Sequence, residues 1–270
     1  MIIDFHTHIC PDKAADGAVS ALAKAYDIPP YADGKKQGLL DALAQAGADI
    51  AINLPVVTNP MQFDSIARFA LNLNEHFEGK GVLSFAGMHP KMDDVKGKMR
   101  FLRENGIKGI KLHPDYQSTF FDDEGYVEIV KEAKDNDLIV VTHAGLDGAY
   151  KGQPIKCTPD RVKNLLKRVG GYEKLVLAHL GGMALYDEVY EKLAGENIYF
   201  DTAYILCYTD KERFSKMLAR HGEDKILFAT DSPWQNIKTN VDVVRGFGLS
   251  KAVEDKIFYK NAQKLLGIEE

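Results

Sequence analysis

Ile2-Ile3-Asp4-Phe5-His6-Thr7-His8 opens the chain, an apolar, β-favouring run that ends in two imidazoles spaced i, i+2. The apolar part reads as a buried strand, and on a strand that spacing sends both rings to one face. Two neutral imidazoles side by side are costly to bury unless something shares their lone pairs, and a divalent metal such as zinc does this well. One His-X-His pair is weak evidence, so the reading depends on where the other histidines fall.

Apolar runs of the same kind recur along the chain, at Ile2 to His6, Ile50 to Leu54, Val82 to Met88, Ile107 to His113, Leu138 to His143, Leu175 to Leu180, Ile198 to Asp201 and Ile226 to Thr230. Helical patterns separate them, over Lys36 to Ala46, Gln62 to Glu78, Asp93 to Asn105, Asp123 to Asp135, Pro159 to Val169, Ala184 to Ala194 and Thr209 to Arg220, with Lys251 to Leu266 closing the series. Parallel strands buried on both faces read as continuous apolar runs and need crossover helices. Eight such repeats in 270 residues predict an α/β fold of the (β/α)8 TIM-barrel type as a single domain, residues 1–270. A doubly wound open sheet is disfavoured because no glycine-rich phosphate loop follows the first strand. Residues 9–35 form a long insertion after strand one, with a short helical patch at Ala18 to Ala25. Long loops after barrel strands lie at the active-site face, so this one is expected to be a lid, with a mobile surface excursion as the alternative.

Composition narrows the function classes. With 45% hydrophobic and 27% charged residues and a net charge of −5, the chain can bury a large core and shows no basic cluster, so neither nucleic acid nor a membrane is an expected partner. Cys10, Cys157 and Cys207 are odd in number and far apart, which suits a reducing compartment. No apolar segment reaches the length of a membrane span, and the expected location is the cytoplasm.

Six of the eight histidines, His6, His8, His89, His113, His143 and His179, stand at or just past the ends of predicted strands. That end of a barrel is where active sites are built. His76 and His221 fall in helices, where an exposed or capping role is expected. Strand eight ends in Ala229-Thr230-Asp231-Ser232, and a carboxylate buried there invites a metal or histidine partner.

Asp4-Phe5-His6-Thr7-His8, Gly109-Ile110-Lys111-Leu112-His113-Pro114, Thr142-His143-Ala144-Gly145, Ala178-His179-Leu180-Gly181-Gly182 and Ala229-Thr230-Asp231-Ser232-Pro233-Trp234 together resemble the amidohydrolase superfamily. The closest likeness is to its amidohydrolase-2 branch, which includes aminocarboxymuconate semialdehyde decarboxylases as well as hydrolases. The resemblance implies that His6, His8, His143 and Asp231 bind one divalent metal, zinc being the first expectation, and that His179 is a further ligand or polarises the substrate. It also implies a small-molecule substrate, and barrels of this kind often form homodimers.

Three imidazoles, a carboxylate and a water make a catalytic site with an exchangeable position. The leading expectation is hydrolysis of a C–N, ester or lactone bond through a metal-activated water, with Asp231 as base and His179 holding the developing oxyanion. The alternative is a metal-dependent, non-oxidative decarboxylase of a small carboxylic acid. Lys111 and His113 share a strand face; a carboxylated Lys111 would bridge two metals, whereas a free Lys111 would meet a substrate carboxylate and His113 the substrate. His89, Tyr204 and Trp234 are further candidates for the pocket wall, and Asp4 is expected to support the His-X-His turn. A metal-binding scaffold without activity and a deoxyribonuclease of the TatD type are weaker readings, the latter because strand four lacks that group's glutamate.

Overall fold

The apolar runs become parallel strands buried on both faces. In the computed structural model, which describes residues 1–268, these are β1 (Ile3–Thr7), β2 (Ile50–Asn53), β3 (Gly81–Ser84), β4 (Ala86–Gly87), β5 (Gly109–Leu112), β6 (Ile139–Thr142), β7 (Leu175–Leu177), β8 (Tyr199–Asp201) and β9 (Ile226–Leu227). β3 and β4 are the two halves of the third barrel strand, interrupted at Phe85; the first half pairs with β2 and the second with β5. The Phe85 amide donates to the Asn53 carbonyl at 2.9 Å and carries the sheet across the break. The ring closes between the last strand and the first, where the Phe5 amide donates to Phe228 O at 2.9 Å and the Asp231 amide to His6 O at 2.8 Å. Eight staggered parallel strands closed in this way are the expected (β/α)8 barrel.

Alternation divides the core into two layers. Ile3, Ile52, Val141, Val176 and Leu227 pack inside the barrel, whereas Ile110, Leu112, Val140, Leu177 and Phe200 face the surrounding helices. Each fully buried side chain of this kind contributes roughly 1.5–3 kcal/mol over its exposed state. Ala262, Leu265 and Leu266 of the C-terminal helix join the inner layer.

Helix boundaries follow local chemistry. The Lys36–Ala46 and Pro159–Val169 helices have the expected bounds; the second starts with Pro159 behind the Thr158 cap and ends at Gly170 with φ 68°. Three expectations need correction. The insertion helix, α1, runs over Asp12–Tyr26 rather than the short patch expected, because its mostly polar surface hides the helical period. A helix at Ile237–Gly246 had not been expected; Asn236 caps it by accepting from the Thr239 amide at 2.9 Å, and Ile237, Val241 and Val244 are its buried stripe. His221 ends its helix but is buried, its ring stacked on Phe200 at 3.8 Å.

Candidate metal centre and active site

Neighbouring side chains on a strand normally point to opposite faces, yet Phe5 packs in the inner layer while His6 reaches Lys111 across the barrel. The register of β1 on β2 shifts between Asp4 and Thr7, and this irregularity re-aims His6. Asp4 supports the shift, accepting from the amides of His6 (3.2 Å) and Thr230 (3.0 Å) and from the Thr230 hydroxyl (2.5 Å). Burial pushes its carboxyl up to about 7.

Ring tautomers can be read from the partners. His6 Nδ1 meets Asp201 Oδ2 at 2.8 Å, His8 Nδ1 meets Leu54 O at 3.0 Å, and His179 Nδ1 meets Ala203 O at 2.8 Å. Each partner is an acceptor, so each Nδ1 carries a proton, and in its neutral form each ring turns an unprotonated Nε2 inward. His6 Nε2 and His8 Nε2 are 3.1 Å apart, and Asp231 Oδ1 lies 3.0 Å from the second and 3.5 Å from the first. Three acceptors this close need positive charge between them. A proton on His8 serves one edge of the triangle; a divalent metal serves all three, with nitrogen and oxygen donors it accepts readily. The donor set therefore fits a divalent metal.

Electrostatics agree with that use. Burial and the Lys111 ammonium hold His6 well below the usual imidazole range, so it is neutral and available as a donor. Burial alone would push Asp231 up, but the His8 hydrogen bond and the surrounding imidazoles of His6, His8 and His179 hold it below the ordinary carboxylate range. Lys111 is fully buried, its Nζ 2.9 Å from His6 Nε2, and among the described residues no carboxylate oxygen lies within 4.0 Å of it. Burial lowers it to about 8. His179 and Asp231 both adopt positive φ, 60° and 69°, a cost usually met at functional positions where the surroundings fix the backbone.

A second group, His113, His143 and Asp147, lies alongside with donor atoms within 4.8 Å of one another. Its two rings are stacked at 4.4 Å and 12°, so their in-plane lone pairs run parallel and cannot both meet one ion. His113 Nδ1 accepts from the Tyr116 amide at 3.4 Å, which leaves its Nε2 proton facing Asp147 Oδ2 at 3.4 Å. This group is a polar wall beside the first. His143, expected among the ligands, has Nδ1 2.9 Å from His179 Nε2 and Nε2 without a partner, 3.9 Å from the equally unpartnered Asp115 Oδ2.

The family model described as amidohydrolase matches residues 3–268. The chain belongs to the amidohydrolase family. No curated protein matches it. Solved structures with the same fold include 2,6-dihydroxybenzoate decarboxylase from Rhizobium, 16% identical, with a TM-score of 0.72 and coverage of 100% of this chain and 99% of that one. 5-Carboxyvanillate decarboxylase from Novosphingobium aromaticivorans, with bound manganese, is 14% identical with a TM-score of 0.76, covering 99% and 97%. A TIM-barrel protein from Bordetella bronchiseptica is 14% identical with a TM-score of 0.76, covering 99% and 98%. At these identities the likeness is one of fold.

Within this amidohydrolase barrel the remaining candidates are unevenly placed. Trp234 stands at the mouth, its ring 6.4 Å from that of Tyr26, and Tyr204 stacks on Tyr208 at 5.4 Å. His89 accepts from the Lys91 amide in its own loop, apart from the cluster's hydrogen bonds. Sequence reading passed over Asp201, Asp115, Asp147, Tyr26 and Tyr116. Asp201 carried a usable signal, since it ends an apolar run just as Asp231 does. The other four lie in loops or the insertion, where no period marks them. No helix among the described residues is long and apolar enough to cross a membrane.

Proposed function

We propose that the protein is a metal-dependent, non-oxidative decarboxylase of a small carboxylic acid. The observation that carries this reading is Lys111, a buried ammonium beside the metal ligands with no carboxylate among the described residues within 4.0 Å. Such a charge is costly to bury unless an anion completes it, and a substrate carboxylate is of the right sign and size. The decarboxylases that share the fold support the same choice, and aromatic rings at the mouth, Tyr26, Tyr116 and Trp234, suit a planar acid.

In this reading His6, His8 and Asp231 hold one ion, with the further donor drawn from the His143–His179 pair. Zinc fits an imidazole-rich set, and manganese is the ion bound to the carboxyvanillate enzyme. When bound, the ion supplies Lewis acidity to an oxygen of the substrate. Lys111 holds the carboxylate, and His113 and Tyr116 flank the substrate body. The C–C bond breaks with its electron pair left on the substrate carbon and carbon dioxide departs. Asp231, ionised at rest, would take the proton of a second, hydroxyl group on the substrate and return it to that carbon, and the hydroxyl oxygen would regain its proton from water.

Hydrolysis of a C–N, ester or lactone bond is the second reading, favoured by the place of Asp231, an ionised carboxylate within the candidate metal group. A Lys111 amine lowered to about 8 could also be carboxylated in such an enzyme and share two metals. The test is carbon dioxide release from 2,6-dihydroxybenzoate, 5-carboxyvanillate and related hydroxybenzoates by protein loaded with Mn2+ or Zn2+. Release that disappears in Lys111→Met supports the lyase. Turnover of esters or amides with two metals per chain, and no carbon dioxide from the acids, overturns it.

A further inference from the structure

Apolar burial holds the insertion helix weakly. Of the 15 residues of α1, Ala15 alone is buried, and Asp12, Lys13, Asp16 and Lys24 are exposed. The insertion ties its own base together through the Cys10 amide on Gly34 O at 2.9 Å and the Lys35–Asp16 ion pair at 2.8 Å. It meets the barrel at its far end, where the Tyr31 amide donates to Pro233 O at 2.7 Å and the Tyr26 hydroxyl lies 2.7 and 2.9 Å from the two carboxylate oxygens of Asp147.

The tyrosine contact is a built one. Asp147 is buried, and its Oδ1 takes a second donor, the Ala149 amide, at 2.8 Å. Since the Tyr26 proton goes to the carboxylate, the Tyr116 hydroxyl 2.6 Å away donates to the Tyr26 oxygen. The free side of Asp147 Oδ2 faces His113 Nε2 at 3.4 Å. His113 is in turn held between the stacked rings of Tyr116 (3.8 Å) and His143 (4.4 Å). A residue of the insertion thus touches the group that faces the pocket histidine, a contact unnecessary in a loop that merely crosses the surface.

We propose that Tyr26 is a positioning residue of the active site: brought by the insertion, its hydroxyl sets the Asp147 carboxylate against His113, so that the pocket is complete when α1 is docked. The chemistry run by the metal centre does not enter this inference, and the failure of either reading leaves the other standing.

Amide hydrogen exchange and nitrogen-15 NMR of the histidine rings in the full chain test it, comparing wild type with Tyr26→Phe, Tyr116→Phe and Asp147→Asn. In wild type, the His113 Nε2 proton, assigned by its loss in His113→Gln, is expected as a protected signal. Tyr26→Phe should remove or shift that signal and speed exchange across residues 12–26 about tenfold, while the Nδ1 protons of His6, His8 and His179 stay in place. Asp147→Asn should reproduce both effects, and Tyr116→Phe, which leaves Tyr26 on Asp147, should keep the His113 signal. Faster exchange in the helix with an unchanged His113 signal would make Tyr26 a surface latch and overturn the proposal. So would a wild-type spectrum without that protected proton.

Discussion

His6 and His8 face each other with their Nε2 atoms 3.1 Å apart, and both rings have already committed their Nδ1 protons to oxygens of the barrel wall. The protein thus spends two hydrogen bonds on turning bare lone pairs toward one point. That arrangement is unfavourable in an apolar interior and becomes favourable once a cation enters.

Metal removal should therefore lower stability. Ligand that binds the native state at 100 times its dissociation constant stabilises by about 2.7 kcal/mol. Chelated protein should melt several degrees below protein resupplied with Zn2+ or Mn2+, and His8→Ala should abolish the difference. An unchanged melting temperature on chelation and resupply would refute the metal centre.

Asp201→Asn should weaken metal binding although the residue touches no metal. Asp201 Oδ1 already accepts from the amides of His179 and Ala203, both at 3.0 Å. An asparagine would keep its oxygen there and turn its NH2 to His6 Nδ1, driving His6 to the tautomer whose Nε2 carries the proton. Loss of such a partner typically costs about 10–100-fold in metal affinity. Competition with a chromogenic chelator measures this, and wild-type affinity in the variant would contradict the tautomer assignment.

Lys111→Met separates substrate from metal. It should retain the ion and lose carbon dioxide release. It also changes the pH dependence of stability in the metal-free protein. The folded pKa, about 8, lies below the ordinary 10.5, so between those values the unfolded chain holds more protons and stability rises with pH. The burial penalty, up to about 3 kcal/mol, is fully present at neutral pH and relieved toward pH 10. Urea titrations at pH 7 and pH 10 should show this gain in wild type relative to Lys111→Met; equal slopes for the two proteins would place the ammonium in a better solvated setting.

The barrel was legible because its strands are buried on both sides, and the ends of those runs exposed His6, His8, His113, His143, His179 and Asp231 as a set. What the sequence concealed was orientation. The register shift at Asp4 and the positive φ of His179 decide where rings point, and a period-two pattern carries no trace of either. His143 shows the consequence: its position at the end of β6 was readable, but its pairing with His179 depends on a loop contact far along the chain. Tyr26 was hidden for a different reason, since a mostly exposed helix has no buried stripe to read.

Gly145→Ala tests how that loop contact is fixed. Gly145 follows β6 with φ 85°, and an added Cβ would lie 2.2 Å from Met183 N and 2.3 Å from Met183 O. Around it the loops after β6 and β7 are joined, the Met183 amide donating to Ala144 O and the Leu146 amide to Met183 O, both at 2.9 Å. These bonds bring His143 and His179 together, so no side chain can enter without parting the two loops. Backbone strain and broken loop bonds together should cost about 2–4 kcal/mol, lowering the melting temperature by roughly 5–10 °C. Because the same displacement moves His179 away from the His6 and His8 nitrogens, metal affinity should fall with stability. A variant that melts lower yet binds metal at wild-type affinity would show that the ion is held by His6, His8 and Asp231 without a donor from the His143–His179 pair.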